Sequence, residues 1–152
     1  GPPLIYTVDL PINGASEGQG IRVVKYEPDN QTSDQGRADN DFIFLRMGDV
    51  YLMRAEAYLR GGDAGSALAD LNTLRTIRNA DPLTTANEDA VLNERGFELY
   101  WEGWRRNDLI RFGRFNADWT NKGGTTAATR QLFSIPQSAL DINPNLRQND
   151  GY

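Results

Sequence analysis

The chain has 152 residues, no cysteine and no histidine, a net charge of −5, 39% hydrophobic residues and 24% charged residues. This length and balance predict one soluble globular domain that can bury a core. They exclude disulfides, cysteine or histidine nucleophiles and imidazole zinc sites, and the acidic balance without a basic run argues against nucleic acid and against a polybasic membrane-binding segment.

Residues 1–41 are expected to be irregular, because proline, glycine, asparagine and aspartate recur throughout them. A short strand is possible at 21–26, where Ile21, Val23 and Val24 are β-branched. The chain begins without a basic, apolar signal peptide and has no apolar run of about 18 residues. We therefore expect it to be part of a longer protein.

A pair of helices is predicted over residues 42–78. Apolar residues recur at helical spacing from Phe42 to Leu59, Gly61-Gly62 ends this helix, and Asp63 is a suitable N-cap for a second helix over 64–78. The pattern of small, aromatic and large residues is similar to a tetratricopeptide unit, in which small residues let two antiparallel helices approach and large ones fill the space between them. The residues that carry this pattern are Tyr51, Ala55, Tyr58, Gly62, Ala67, Leu71 and Leu74. A generic helical hairpin is the alternative.

Further helices are predicted at about 87–112, followed by an irregular tail over 113–152 with a short helical turn near Ser138–Asp141. The third helix is expected to start near Asn87 and to run towards Trp101, and the fourth to run from Trp104 to Phe112. The predicted fold class is therefore all-α, with tetratricopeptide-like hairpins that form an α-α superhelix.

Residues 94–111 contain the densest set of charged side chains. Glu94, Glu98 and Glu102 lie four residues apart, so a continuous helix would place them on one face, where they would repel each other without cationic partners. Arginines of the same segment, Arg106 among them, could supply bidentate partners. The sequence predicts a structural ion-pair network of Glu94, Arg95, Glu98, Glu102, Arg105, Asp108 and Arg111.

These carboxylates have two possible chemical roles besides ion pairing. A carboxylate pair could hydrolyse a glycosidic bond. A carboxylate ladder could hold two metal ions, but such sites add histidines that this chain lacks. We expect no catalytic residue, no metal and no cofactor.

Three blocks, in this order and spacing, resemble the SusD/RagB family. Residues 44–58 are similar to that family's Arg-x-x-Asp-Val-x-Leu-Met-x-Ala-Glu-Ala helix, and residues 94–111 to its Glu-Arg…Glu-Leu…Glu-Gly-x-Arg…Asp-Leu-x-Arg segment. The tail, from Ile135-Pro136 through Asn143-Pro144 to Gly151-Tyr152, is similar to the family's C-terminal end, and residues 22–26 to the strand before the first block. The chain is thus similar to the C-terminal portion of a SusD-like protein.

The resemblance implies a surface-exposed outer-membrane lipoprotein that captures an oligosaccharide or another nutrient and acts with a TonB-dependent transporter, without catalysis. The family's lipid-bearing N-terminal cysteine has no counterpart in this chain. Contact with the membrane would therefore come only through an anchor absent from it. A tetratricopeptide-like protein-interaction scaffold is the alternative function.

Aromatic residues that can stack on a sugar are the candidate ligand contacts. Trp119 is the main candidate, because it lies in a polar loop without a helical pattern that would bury it, and Asn121 follows in the same loop. Anchoring of the loop, with the Trp119 ring packed on the domain, is the alternative. Trp104 is a weaker candidate: Trp101 and Trp104 are at helical spacing and are expected to pack in the core. The predicted ligand-binding residues are Trp119, Trp104 and Asn121.

Overall fold

The computed structural model describes residues 5–11, 13–20, 23–26, 40–120 and 122–152. The chain forms two compact units, Gly1–Arg46 and Met47–Tyr152. In the first unit an isolated parallel bridge joins Thr7 to Gln19. Residues 23–26 belong to no strand, and the other two residues of the predicted strand, Ile21 and Arg22, lie outside the described residues.

The second unit is helical, which confirms the all-α prediction for the described part of the chain. Its elements are α1 (Met47–Arg60), α2 (Ala64–Ile77), α3 (Glu88–Glu98), α4 (Arg105–Arg111), a 3-10 turn (Ala128–Gln131) and α5 (Gln137–Ile142). Helix α1 packs on α2 and α3, and α3 packs on α4. None of the helices in the described ranges has the length and hydropathy needed to cross a membrane.

Helix α1 begins at Met47, five residues later than the sequence predicted. Residues 42–45, Phe-Ile-Phe-Leu, are exposed and non-helical. Three of these four are aromatic or β-branched, and such residues lose side-chain freedom in a helix and fit extended backbone better. Helical spacing of apolar residues was therefore a misleading signal at this end.

The turn between α1 and α2 follows the predicted chemistry. Gly62 has a φ of +86°, a left-handed conformation that glycine adopts without a Cβ clash. The carboxylate of Asp63 accepts a hydrogen bond of 2.9 Å from the backbone N–H of Ser66 and caps α2. Hydrogen bonds from Ser66 hold the pKa of Asp63 below its ordinary value.

The core lies between α1, α2 and α3 and extends to the end of α4. Small residues allow the close crossing of α1 and α2, since Ala55 and Ala67 are fully buried. Tyr58 was expected to fill the space between these helices, but its side chain is 37% exposed, and Tyr51 packs against the core instead. The buried apolar residues are Leu52, Ala55, Ala67, Leu71, Leu74, Val91, Leu92, Leu99 and Phe112.

Helix α3 is shorter than predicted. Asn87 caps its start by accepting a hydrogen bond of 2.8 Å from the N–H of Ala90, but the helix ends at Glu98. Trp101, expected in the core, has a φ of +69° and is exposed. A bulky residue rarely adopts this left-handed conformation, and here it reverses the chain between α3 and α4.

The tail after α4 has more order than the sequence predicted. The side-chain amide of Gln148 accepts from the N–H of Ile135 at 2.8 Å and donates to its carbonyl oxygen at 2.9 Å. The hydroxyl of Tyr152 donates to the carbonyl of Leu132 at 2.8 Å. These bonds return the chain end to the segment before α5.

Candidate functional site

A cavity of about 620 Å³ opens beside Trp119. One side is formed by α3 and α4, through Asp89, Leu92, Arg105 and Leu109, and the other by the loop that follows α4. The indole of Trp119 is 43% exposed. A partly exposed aromatic ring in a concave site of this size is typical of small-ligand sites, which commonly measure roughly 300–1,000 Å³.

Lys122 fixes the loop that carries Trp119. Its ammonium group donates to the carbonyl oxygens of Phe115 at 2.8 Å and Ala117 at 2.7 Å. The same group lies 4.0 Å from the centre of the Trp119 ring, a cation–π contact that covers one face of the indole. Asp118 accepts from the N–H of Gly124 at 3.0 Å. Trp119 is therefore held at the cavity wall by its own loop.

The other two predicted ligand contacts do not join Trp119 at this wall. Trp104 is partly buried against the hydrophobic core and borders neither this cavity nor the one described next. Asn121 lies outside the described residues.

A second cavity, of about 430 Å³, lies at the turn between α3 and α4. Three exposed aromatic residues border it, namely Phe97 (72% exposed), Tyr100 (55%) and Trp101 (66%). The centres of the Tyr100 and Trp101 rings are 6.2 Å apart. This group was not predicted from the sequence, because helical spacing placed Trp101 in the core. The sequence signal for the turn is Gly103, two residues later, and the structure gives it a left-handed φ of +81°.

Arg95 is the centre of a buried group of charges. Its Nη1 donates to Asp49 Oδ1 at 2.9 Å and its Nε donates to Asp108 Oδ1 at 2.8 Å. The side chains of Arg95, Asp49 and Asp108 are 3%, 2% and 1% exposed. The guanidinium of Arg95 thus joins α1, α3 and α4, and burial leaves these charges to be compensated by each other and not by water.

The same chain of ion pairs continues to α1 through Arg111. Arg111 donates to Asp108 Oδ1 and to both carboxylate oxygens of Glu56, each at 2.9 Å, and Arg60 also donates to Glu56 at 2.9 Å. Burial acts to raise the pKa of Glu56, but the hydrogen bonds from Arg111 and Arg60 outweigh it and hold that pKa below its ordinary value. The bond to Glu56 raises the pKa of Arg111.

The glutamates of α3 have partners that the sequence analysis did not consider. Glu94 accepts from Arg75 at 2.7 Å, and Glu98 accepts from Arg78 at 2.7 and 3.0 Å. Both arginines lie at the C-terminal end of α2. Glu102 is buried in the turn after α3, so it does not share a helix face with the other two glutamates.

Arg105, also predicted to be in the network, donates instead to the backbone carbonyl of Leu92 at 2.7 Å. No cluster of three or more acidic side chains suited to a metal ion occurs within the described ranges.

Most of this chain is similar in sequence to known proteins. The model of the SusD family matches residues 4–152. The starch-binding protein SusD of Bacteroides thetaiotaomicron is 36% identical over 146 residues, covering 88% of this chain and 26% of that protein. The SusD-like protein P38 of Formosa agariphila is 28% identical over 151 residues, covering 90% of this chain and 29% of that protein.

Solved structures show the same fold. The surface glycan-binding protein A of Bacteroides uniformis has a TM-score of 0.63 and 28% identity, covering 74% of this chain and 28% of that chain. A SusD superfamily protein of Parabacteroides distasonis has a TM-score of 0.61 and 27% identity, covering 76% of this chain and 28% of that chain. The chain therefore spans less than a third of the length of these relatives. With the family model matching nearly all of it, the chain belongs to the SusD family.

Proposed function

We propose that this chain is part of a non-catalytic glycan-binding protein. The observation that carries the proposal is the 36% identity to a starch-binding protein along most of this chain. The pairing of Glu94 and Glu98 with arginines supports a structural role for these carboxylates rather than acid–base work.

We further propose that the cavity at Trp119 contributes a sugar-binding subsite. A pyranose ring has apolar C–H faces and a rim of hydroxyl groups, so it suits an aromatic wall with polar neighbours. Lys122 covers one face of the indole, which leaves the other for a ligand. Thr120 and Asp118 supply polar groups at the same cavity.

Substitution of Trp119 tests this subsite. Trp119→Ala should weaken the binding of an oligosaccharide to the 152-residue chain by roughly tenfold, because it removes one aromatic stacking contact. The affinity is measured by isothermal titration calorimetry with a panel of neutral and acidic oligosaccharides. Trp101→Ala is the matched control, since it removes an exposed tryptophan at the other cavity. Equal affinity of Trp119→Ala and the unsubstituted chain for every glycan would contradict the proposal.

Family membership also supports a proposal for where the whole protein lies and which partner it acts with. We propose that the whole protein is a cell-surface lipoprotein of the outer membrane and delivers its glycan to a TonB-dependent transporter, with its lipid anchor outside this chain. Co-purification of the full-length protein with a co-expressed transporter tests the partnership. Recovery of the protein free of the transporter under mild detergent conditions would count against it.

A protein-interaction scaffold is the second candidate function, and the outer face of α1 favours it. The face opposite the core carries Met47, Val50 and Met53, which are all exposed. A helix that is apolar on both sides is typical of stacked helical repeats, in which each helix pair covers the next. If Val50→Lys with Met53→Lys abolishes co-purification with the transporter and leaves glycan binding intact, this part of the protein is the scaffold; unchanged co-purification would contradict that role.

A further inference from the structure

Arg105 borders both cavities. It is the first residue of α4, and its side chain lines the cavity at Trp119 and also the aromatic cavity at Trp101. Among the described residues, no other is common to the two walls. Its charge is therefore available to a ligand on either side of α4.

The guanidinium of Arg105 is held in place without a counter-charge. Its Nη1 donates to the carbonyl oxygen of Leu92 at 2.7 Å. A Cβ added to Gly96 would lie 2.8 Å from the same Nη1, so the guanidinium rests directly against the backbone of α3. Within the described ranges no carboxylate forms an ion pair with it, whereas Arg114 in the same cavity is paired with Asp89 at 2.9 Å.

The other charged groups at this cavity already have partners. Asp89 is paired with Arg114, and Asp118 accepts from the N–H of Gly124. Lys122, which contacts the Trp119 ring but does not line the cavity, donates to two backbone carbonyls. Arg105 uses one of the five N–H donors of its guanidinium. A guanidinium presents its remaining donors as a planar fork that matches a carboxylate or a sulfate group.

We propose that the cavity at Trp119 takes an acidic glycan, with a sugar ring against the indole and a uronate carboxylate or sulfate ester on Arg105. This rests on the proposed glycan-binding function of the same cavity. The net charge of −5 does not oppose it at close range, because salt screens distant surface charges beyond about 8 Å at physiological ionic strength.

Matched pairs of probes test the charge preference. The 152-residue chain is titrated with an oligogalacturonide and its neutral methyl ester, and with an O-sulfated galacto-oligosaccharide and its unsulfated form. In at least one pair the acidic member should bind roughly tenfold more tightly, the size expected for one charged hydrogen-bonded contact. The preference should shrink in high salt. The carboxylate and sulfate pairs show which anion the site takes.

Two variants assign the preference to Arg105. Arg105→Gln should bind acidic and neutral members equally and keep the affinity for the neutral one. Gly96→Ala leaves the charge in place but displaces the guanidinium, and alanine is the better helix former, so the preference should fall while the thermal midpoint does not. Arg147→Gln, an exposed residue that borders neither cavity, makes the same change in net charge and should behave as the unsubstituted chain.

The outcomes separate this inference from the proposed function. If no oligosaccharide of the wider panel binds, the proposed function fails and this inference fails with it; if other glycans bind but none of the four probes does, only the acidic-glycan inference is overturned. If glycans bind but each acidic probe matches its neutral form, or if both Arg105→Gln and Gly96→Ala keep the preference, the acidic-glycan inference is overturned and glycan binding stands.

Discussion

Arg95 is a buried cation between the buried carboxylates of Asp49 and Asp108. Its contribution to stability depends on the presence of all three groups. A buried ion pair is costly to form, because both groups leave water, but removing one partner leaves an uncompensated charge. Asp108 makes this more severe, since its Oδ2 has no hydrogen-bond partner in the described part of the chain and Oδ1 receives both arginines.

We expect Arg95→Met to destabilise the chain by about 3–5 kcal/mol, the range for breaking a buried pair. Urea unfolding followed by circular dichroism measures the change. Arg114→Met is the control: its pair with Asp89 is 52% and 68% exposed, and such surface pairs contribute about 0–1 kcal/mol. Equal losses in the two variants would show that the burial of Arg95 has no special weight.

At this scale the sequence allowed only part of the charge network to be predicted. Asp108 and Arg111 are three residues apart and Glu56 and Arg60 four apart, so helical geometry alone brings them together. The pairing of Glu94 with Arg75 depends on how α2 and α3 cross, which residue spacing does not determine. The role of Asp49 was not predicted, because its partner, Arg95, lies 46 positions away in the sequence.

Among the helices, Glu56 links α1 to α4 through a pH-sensitive contact. Its pKa in the folded chain lies below the ordinary value of 4.5. A carboxylate with a lowered folded-state pKa stabilises the fold fully above its unfolded-state pKa, and that stability is lost as the pH falls through the folded-state value.

We therefore expect Glu56→Gln to lower stability at pH 7 and to have a progressively smaller effect below about pH 4.5. Urea midpoints of the variant and the unsubstituted chain, measured from pH 7 to pH 3, give the difference. Subtraction cancels the other carboxylates, which titrate in both proteins. A difference that stays constant with pH would mean that the ionisation of Glu56 contributes nothing.

Helix boundaries were predicted well where a capping residue marks them and poorly elsewhere. Asp63 and Asn87 predicted the starts of α2 and α3. The start of α1 and the end of α3 lack such a signal, because Phe42 and Trp101 are apolar residues at helical spacing that the structure leaves exposed. Their exposure also explains why the second cavity was not predicted, whereas the polar loop around Trp119 made that residue a candidate ligand contact, and the structure leaves it 43% exposed.

Across the whole molecule, apolar surface remains uncovered. The outer face of α1 and the C-terminal end of α3 carry large exposed side chains, including Met47, Val50 and Phe97. Contiguous exposed apolar patches generally mark interaction surfaces. The all-α class and the family could be predicted from residue patterns spread along the chain. Residue patterns do not show which apolar helix faces remain exposed after the core has formed.

We expect the 152-residue chain to self-associate as its concentration rises, because association removes this apolar surface from water. Sedimentation velocity over a hundredfold concentration range measures it. Val50→Lys with Met53→Lys should shift the chain towards monomer. Ala69→Lys with Thr76→Lys adds the same charge on an exposed part of α2 and should not. Concentration-independent sedimentation of the unsubstituted chain would contradict the expectation.

The buried contact of Arg95 with Asp49 and Asp108 also has a consequence for how this fold can diverge. Asp49, Arg95 and Asp108 are far apart in the sequence but form one buried group of charges. Substitution of Arg95 leaves Asp49 without its cation, and substitution of either aspartate leaves Arg95 with one carboxylate of two, so each single change lowers stability until the others follow. Proteins of this fold should therefore keep or lose the three charges together. A chimaera of one parent that has them and one that lacks them should be destabilised unless all three positions come from the same parent.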